Sequence, residues 1–297
     1  MKKKLLFAVI ALAGLASSKE KGPLIDFGSA AATDTTYMAA PPASAQTRNV
    51  LLEEFTGISC VNCPTGHQKV TDIEAQYPSP GHLIPIAIHP FDNPLANPLP
   101  DISPIDLRTT EGTTLYKGLY GNPSAIPCAG IDRKPYNGIL VLGSDDWPVA
   151  VGARIGVASP VNIEISRTYD AASHAGSVKV SARYFSSVST KQALTLALVE
   201  DGIDAPQEYT DPNNGMTAKY TSYTHNHILR RIYTFAPGSP MIDSVATKAP
   251  GRVYERTFNI TTDPSWNPQH CKLIAFVSNN ESGDKTVMQA VEVNLQP

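Results

Sequence analysis

Asn49-Val50-Leu51-Leu52-Glu53-Glu54-Phe55-Thr56-Gly57, followed after Ile58-Ser59 by Cys60-Val61-Asn62-Cys63-Pro64, is the stretch that decides the reading of this chain. The first segment is apolar, strand-like and closed by a glycine. After the cysteines, Val70, Ile73 and Tyr77 repeat at helical spacing until Pro78-Ser79-Pro80-Gly81 stops the helix. A Cys-x-x-Cys between a strand and a helix start is the dithiol placement of thioredoxin-like folds. Unpaired N–H groups and the positive end of the dipole favour a thiolate there. Pro64 suits the first helical turn, where its missing N–H costs nothing.

Two further residues fit that frame. Thioredoxin-like folds set an X-Pro bond, usually cis, at the start of the strand facing the dithiol, and Ile126-Pro127 before Cys128-Ala129-Gly130-Ile131 is the candidate. Glu54 stands six residues before Cys60. That offset resembles the thioredoxin pattern of a buried carboxylate that handles the resolving thiol's proton. Burial would raise its pKa and suit it to the role; a solvated strand carboxylate is the plain alternative. The dithiol itself is open to three readings: a redox pair, a structural disulfide, or half of a zinc site. No second Cys-x-x-Cys or His pair has ribbon or finger spacing.

The chain has 297 residues, enough for two domains. Met1-Lys2-Lys3-Lys4 and the apolar run Leu5–Leu15 read as a secretory signal over residues 1–18, too short to span a membrane as a mature helix. Leu15-Ala16-Ser17-Ser18 is close to a lipoprotein box, with Ser18 where the lipid-carrying cysteine would stand. Cleavage after residue 17 removes three lysines and no acid. The 24 basic residues become 21 against 27 acidic, and the formal charge moves from −3 to −6. That balance argues against a nucleic-acid partner. Membrane association is expected only through a lipidated N-terminus, with no transmembrane helix. Export makes disulfides reasonable.

Residues 19–47, rich in Ala, Ser, Thr and Pro, read as a tether, with Pro23–Phe27 able to add a strand. Residues 48–157 read as an α/β thioredoxin-like domain. Its strand His82–His89 precedes a Pro-laden insert, Pro90–Pro104, that is neither helix nor central strand. A helix near Leu107–Tyr120, a last strand Gly138–Leu142 and a helix capped by Ser144 complete it. From Pro160 the pattern changes to period two. Runs at 161–165, 178–185, 194–199, 228–235, 253–260, 273–277 and 288–295 predict an all-β immunoglobulin-like sandwich over 158–297. Residues 201–224 read as a long polar loop with Tyr209, Tyr220 and Tyr223.

His225-Asn226-His227 places two imidazoles at i and i+2, weak candidates for a metal, with turn hydrogen bonds the commoner role. Cys128 and Cys271 can bridge the domains or remain buried free thiols. His67 can modulate Cys63 or lie solvated on the helix surface.

The segment Leu52–Gly57 leading into Cys60–His67 resembles the twenty-eight-kilodalton outer-membrane protein family of Bacteroidota. So do Pro127–Arg133, His225–Arg230, Ala275–Val277 and Gln289–Val293. The resemblance implies an outer-membrane or surface lipoprotein with thioredoxin-like and immunoglobulin-like domains. Ser18 departs from that pattern at the lipid position. The leading reading is therefore an exported cell-envelope protein that binds an envelope or surface partner and carries no cofactor. The alternative is a thiol–disulfide oxidoreductase with Cys60 as nucleophile, Cys63 as resolving thiol, Glu54 as proton acceptor and Pro127 beside them. A third is a metal or carbohydrate binder.

Overall fold

A computed structural model of the protein describes residues 33–241 and 245–296. The signal segment and the strand expected at Pro23–Phe27 lie outside those residues. The chain is β-rich and opens with β1 (Thr33–Met38), then β2 (Val50–Phe55), α1 (Cys63–Gln76) and β3 (Leu83–Pro90). Next come β4 (Arg108–Thr109), α2 (Thr110–Thr114), β5 (Cys128–Ile131), β6 (Leu142–Gly143) and α3 (Trp147–Ile155). An all-β run follows: β7 (Val161–Asp170), β8 (Ala175–Tyr184), β9 (Gln192–Glu200), β10 (Ile203–Thr210), β11 (Thr217–His225) and β12 (Ile228–Ile232). It closes with β13 (Ser239–Pro240), β14 (Arg252–Thr261), β15 (Cys271–Asn279) and β16 (Val287–Asn294).

The main sheet runs β16-β15-β9-β12-β3-β2-β5-β6 and so crosses from the all-β half into the α/β half. The join is narrow. Ile228 of β12 pairs in parallel with Ala87 of β3, and the Ala87 N–H donates to the His227 carbonyl at 2.8 Å. The boundary near residue 157 is thus a change of secondary structure, not a break in the sheet. A second sheet, β1-β14-β8-β7, packs on the all-β end.

Strand alternation sorts the side chains into layers. On β9, Leu194, Leu196 and Leu198 face the second sheet with Val178, Val180, Tyr254 and Phe258. Ala197 and Val199 face the other way, joining Leu51, Phe55, Ile84 and Ile88 of the α/β half and Ile274 and Phe276 of β15. That second cluster spans the boundary. A third, with Val50, Leu52, Val70, Ile73, Trp147 and Val151, sits under α1 and α3.

Several expectations change. The tether is, from Thr33 on, part of the sandwich: β1 pairs along β14, and Arg256 grips Asp34 through two contacts of 2.6 Å. The expected loop 201–224 is the hairpin β10–β11, because Tyr209 and Tyr220 stack at 3.9 Å across its strands. Only Leu142 of the strand expected at 138–142 pairs in the sheet; Tyr136 and Ile139 close a turn instead. Asp146, not Ser144, precedes the last helix, and it makes no side-chain cap bond. Cys128 and Cys271 are free and buried, so no bridge joins the halves. No helix among the described residues is long and apolar enough to cross a membrane.

The halves are held by a buried ion pair. Arg133 donates to both Glu53 oxygens at 2.8 Å, and Tyr120 adds a 2.5 Å hydrogen bond to Oε2. Arg133 also donates to the Pro237 carbonyl at 2.7 Å and lies over the Phe276 ring. Removing one member of such a pair typically costs ~3–5 kcal/mol, because the other charge stays buried. Arg133→Met is expected to lower unfolding free energy by that amount in urea titration. The wild type is expected to unfold in one transition by both far-UV and Trp fluorescence probes, because the core crosses the boundary.

Candidate functional site

Adjacent glutamates on β2 meet opposite fates. Glu53 points to the Arg133 side. Glu54 points under α1, is 3 % exposed, and its Oε1 has no hydrogen-bond partner. Burial raises its pKa to about 8. Helix α1 approaches this face through Gly66. A Cβ there would lie 2.9 Å from both Glu54 Oε1 and Pro127 Cβ, so glycine permits the close contact.

Cys60 and Cys63 form a disulfide with Cα atoms 5.3 Å apart. Cys60 Sγ lies 3.7 Å from the Ile126 carbonyl oxygen, and the Ile126–Pro127 bond is cis. Cys60, Cys63, Glu54 and Pro127 are therefore brought into one region. Both cysteines are buried, Cys60 at 2 % and Cys63 at 0 % exposure.

The hairpin β10–β11 covers them. The Gln207 amide nitrogen sits 3.1, 3.1 and 3.0 Å from the carbonyls of Gly57, Ile58 and Cys60. Glu208 and Thr210 add backbone bonds to Ile58 and Val61 at 2.8 and 3.3 Å. From the other side, the Pro-rich insert accepts the Ser59 N–H on Leu95 O at 2.9 Å.

Beside the dithiol, α1 and β11 enclose a cleft of about 270 Å³. Glu54, Pro64, His67, Val70, Tyr223 and His225 are among its walls. His67 is held from both sides: Nε2 lies 2.9 Å from Thr56 Oγ1 and Nδ1 2.9 Å from Tyr223 OH. Burial, then His225 and His227, lowers its pKa to about 3. His67 Nε2 is 3.9 Å from Glu54 Oε1, an ion-pair distance. With the imidazole neutral and the carboxyl protonated near pH 7, the contact is between uncharged groups.

His225 and His227 do not act together. His225 is buried against Tyr223, with ring centroids 4.9 Å apart, and burial lowers its pKa to about 4. His227 leaves the strand at φ 59 and pairs with Glu74 at 3.5 Å and Asp201 at 3.4 Å. The positive φ ends the alternation on which a shared face depended. No group of three or more His, Cys, Asp and Glu among the described residues is placed to hold a metal. Gln207 and His89 belong to the region without having stood out in the sequence, and Tyr223, noted there only as part of a polar loop, proves to be a wall of the site. The period-two spacing of Tyr223 and His225 is the signal that could have found the hairpin.

A disulfide capped by a neighbouring hairpin, on a sheet shared with a β-sandwich, defines a β-rich protein of mixed build. The chain belongs to the family described as outer membrane protein Omp28, whose model matches residues 115–297. That membership places it in the cell envelope, at the outer membrane. The structure of HBP35 of Porphyromonas gingivalis is similar at TM-score 0.61 and 17 % identity, covering 86 % of this chain and 78 % of that one. A domain of the outer membrane lipoprotein Omp28 from the same organism aligns at TM-score 0.31 and 16 % identity, over 47 % of this chain and 90 % of that one. No curated protein sequence matches.

Two outcomes follow from this geometry. Gln207→Ala removes hydrogen bonds to buried carbonyls, a loss of ~1–3 kcal/mol of hairpin docking. Reduction of Cys60–Cys63 by dithiothreitol, read by thiol alkylation and mass spectrometry, is expected to speed about tenfold. Stability should also depend on pH in two opposing ways. His67 and His225 titrate lower in the folded chain than their ordinary 6.5. Their stabilisation is full above 6.5 and is lost as pH falls toward 4. Glu54 titrates higher than 4.5, so its contribution is lost as pH rises through about 8. Each group contributes a slope of ~1.4 kcal/mol per pH unit in its window. Urea titrations should show maximal stability near pH 6.5, and Glu54→Gln should abolish the decline from 6.5 to 8.

Proposed function

We propose that this is an envelope binding protein. A thioredoxin-like α/β half, residues 48–157, serves as scaffold for an immunoglobulin-like sandwich, residues 158–297, and the Cys60–Cys63 disulfide is structural. The observation that carries this reading is the cover over the dithiol. A catalytic nucleophile must be reachable and ionisable, whereas Cys60 is 2 % exposed beneath Gln207. No lysine or arginine stands between or beside the cysteines. The partner is an envelope or surface protein. Its contact is the outer part of the hairpin, where Met216 is 62 % and Tyr220 41 % exposed. Tyrosines stacked in a row are rigid anchors that lose little entropy on binding.

A second reading, thiol–disulfide exchange, is favoured by one observation: the unpartnered Glu54 carboxyl on the Pro127 side of α1. One assay separates the two. The wild type is expected to give no turnover of insulin disulfides with dithiothreitol. The Cys60→Ser/Cys63→Ser variant is expected to stay folded, losing no more than the ~2 kcal/mol that so short a loop implies. Wild-type turnover lost in Cys60→Ser would make the oxidoreductase reading the correct one.

A further inference from the structure

Glu54 presents an unresolved electrostatic demand. Among the described residues it is the only acid lining the cleft, and no lysine or arginine lines it. The neighbouring His67 cannot serve as counter-ion, since both its ring nitrogens are already engaged and burial keeps it neutral. A second acceptor lies nearby. His225 Nε2 faces the Pro206 carbonyl at 3.3 Å and so carries the proton, which leaves Nδ1 a bare lone pair; that atom is buried and without a partner. The cleft thus holds two unpartnered acceptors, and its other polar walls, Gln68, Thr71, Thr224 and Asn226, carry no charge. Pro64, Val70 and Ile228 add apolar wall, and the Tyr223 and His225 rings add aromatic wall.

A primary ammonium is the complement: three donors, no acceptor, one positive charge. Aromatic walls favour such a cation further. The volume, about 270 Å³, is at the small end of ligand sites and suits one short aliphatic chain. We propose that this cleft binds a primary alkylammonium group on the Glu54 carboxylate, supplied either by a small amine or by a lysine side chain of a partner. The inference rests on the binding reading above and gives it a ligand chemistry. The insulin assay tests that reading, and an amine titration tests this one.

Binding must move a proton. Glu54 is protonated near neutrality in the free protein, with a pKa of about 8. An arriving ammonium keeps its own protons and drives one from Glu54 to solvent. The other titratable groups of this region are His67 of α1, Tyr223 and His225 of β11, Cys128 of β5, His89 of β3, which burial holds well below its ordinary value, and His227. His67 and His225 titrate near 3 and 4, and Tyr223 and Cys128 near 12, all outside pH 6–8. His227, held by Glu74 and Asp201, is separated by a His227→Gln control.

The test is calorimetry of the full chain with n-butylammonium chloride at constant ionic strength. Saturable binding is expected, at least tenfold tighter than n-butanol, with affinity rising about tenfold per pH unit from 6 toward 8. Titrations in phosphate and Tris should report about one proton released per amine, in wild type and in His227→Gln. Glu54→Gln, a near-isosteric change, should weaken binding at least tenfold. Thr71→Trp, at an exposed wall position, should block the cleft without touching the core. Equal binding of n-butanol, or equal competition by tetramethylammonium or potassium, would overturn the proposal. So would undiminished binding by Glu54→Gln. A capped lysine that binds as well as n-butylammonium assigns the site to a partner's side chain; binding of the free amine alone assigns it to a small molecule.

Discussion

The rest of the structure hangs on the corner Asp132-Arg133, at the end of β5. Both residues adopt left-handed φ, 48° and 49°, which turns their side chains to different faces of the sheet junction. Arg133 takes Glu53 through two parallel contacts. Asp132 accepts from Arg154 of α3 at 2.8 Å and Arg48 at 3.4 Å, while its own carbonyl accepts the Val287 N–H that starts β16. Arg48 in turn reaches the Val287 carbonyl at 3.0 Å. Glu53, Asp132, Arg133 and Arg48 are buried and Arg154 is nearly so, and each buried charge is tolerable only while its partners stay in place. The two halves are thereby fixed in one arrangement by groups that cannot be satisfied separately.

This constraint also explains why the site differs from its mirror position on the same strand. Glu53 and Glu54 are neighbours in sequence and equally buried. Alternation sends one to a guanidinium and the other to an imidazole that burial keeps neutral between Thr56 and Tyr223. An ion pair resolves the first burial, and protonation resolves the second. A sheet that needed only stability would carry an apolar residue at position 54, so an unpaired acid there is the feature that calls for a functional account.

Much of this was legible in the sequence, and the gaps have physical causes. The period-two runs from Val161 onward became strands, because one face of each packs against an opposing sheet. Cys60, Cys63, Glu54 and Pro127 do converge. The hairpin 203–225 looks like a loop in sequence because its outer residues are polar and exposed; its inner order comes from Gln207, Tyr223 and His225, which only long-range contacts define. The joint between β12 and β3 rests on a single register pair, Ile228 with Ala87, and leaves no periodic trace. Strand β1 was hidden in a stretch whose composition resembles a linker. Its order is imposed by β14 and by the Arg256–Asp34 pair.

The hairpin links the two features that the sequence presented separately. Its β10 strand supplies Gln207 to the carbonyls around Cys60, and its β11 strand supplies Tyr223 and His225 to the cleft over Glu54. The same two-stranded unit therefore both seals the disulfide and forms one wall of the site. Its strands are mutually paired along most of their length, join the main sheet through the short turns Asp201-Gly202 and Asn226-His227, and pack on it through Ile203. Gln207 pins the unit at the dithiol and Tyr223 pins it at His67, so any change in its seating changes disulfide access and cleft shape together. A ligand that contacts β11 would thus stabilise the cover over Cys60 by the same contacts that hold it against Glu54. That coupling is a consequence of connectivity, and it favours a role in which the dithiol stays closed while the cleft is occupied.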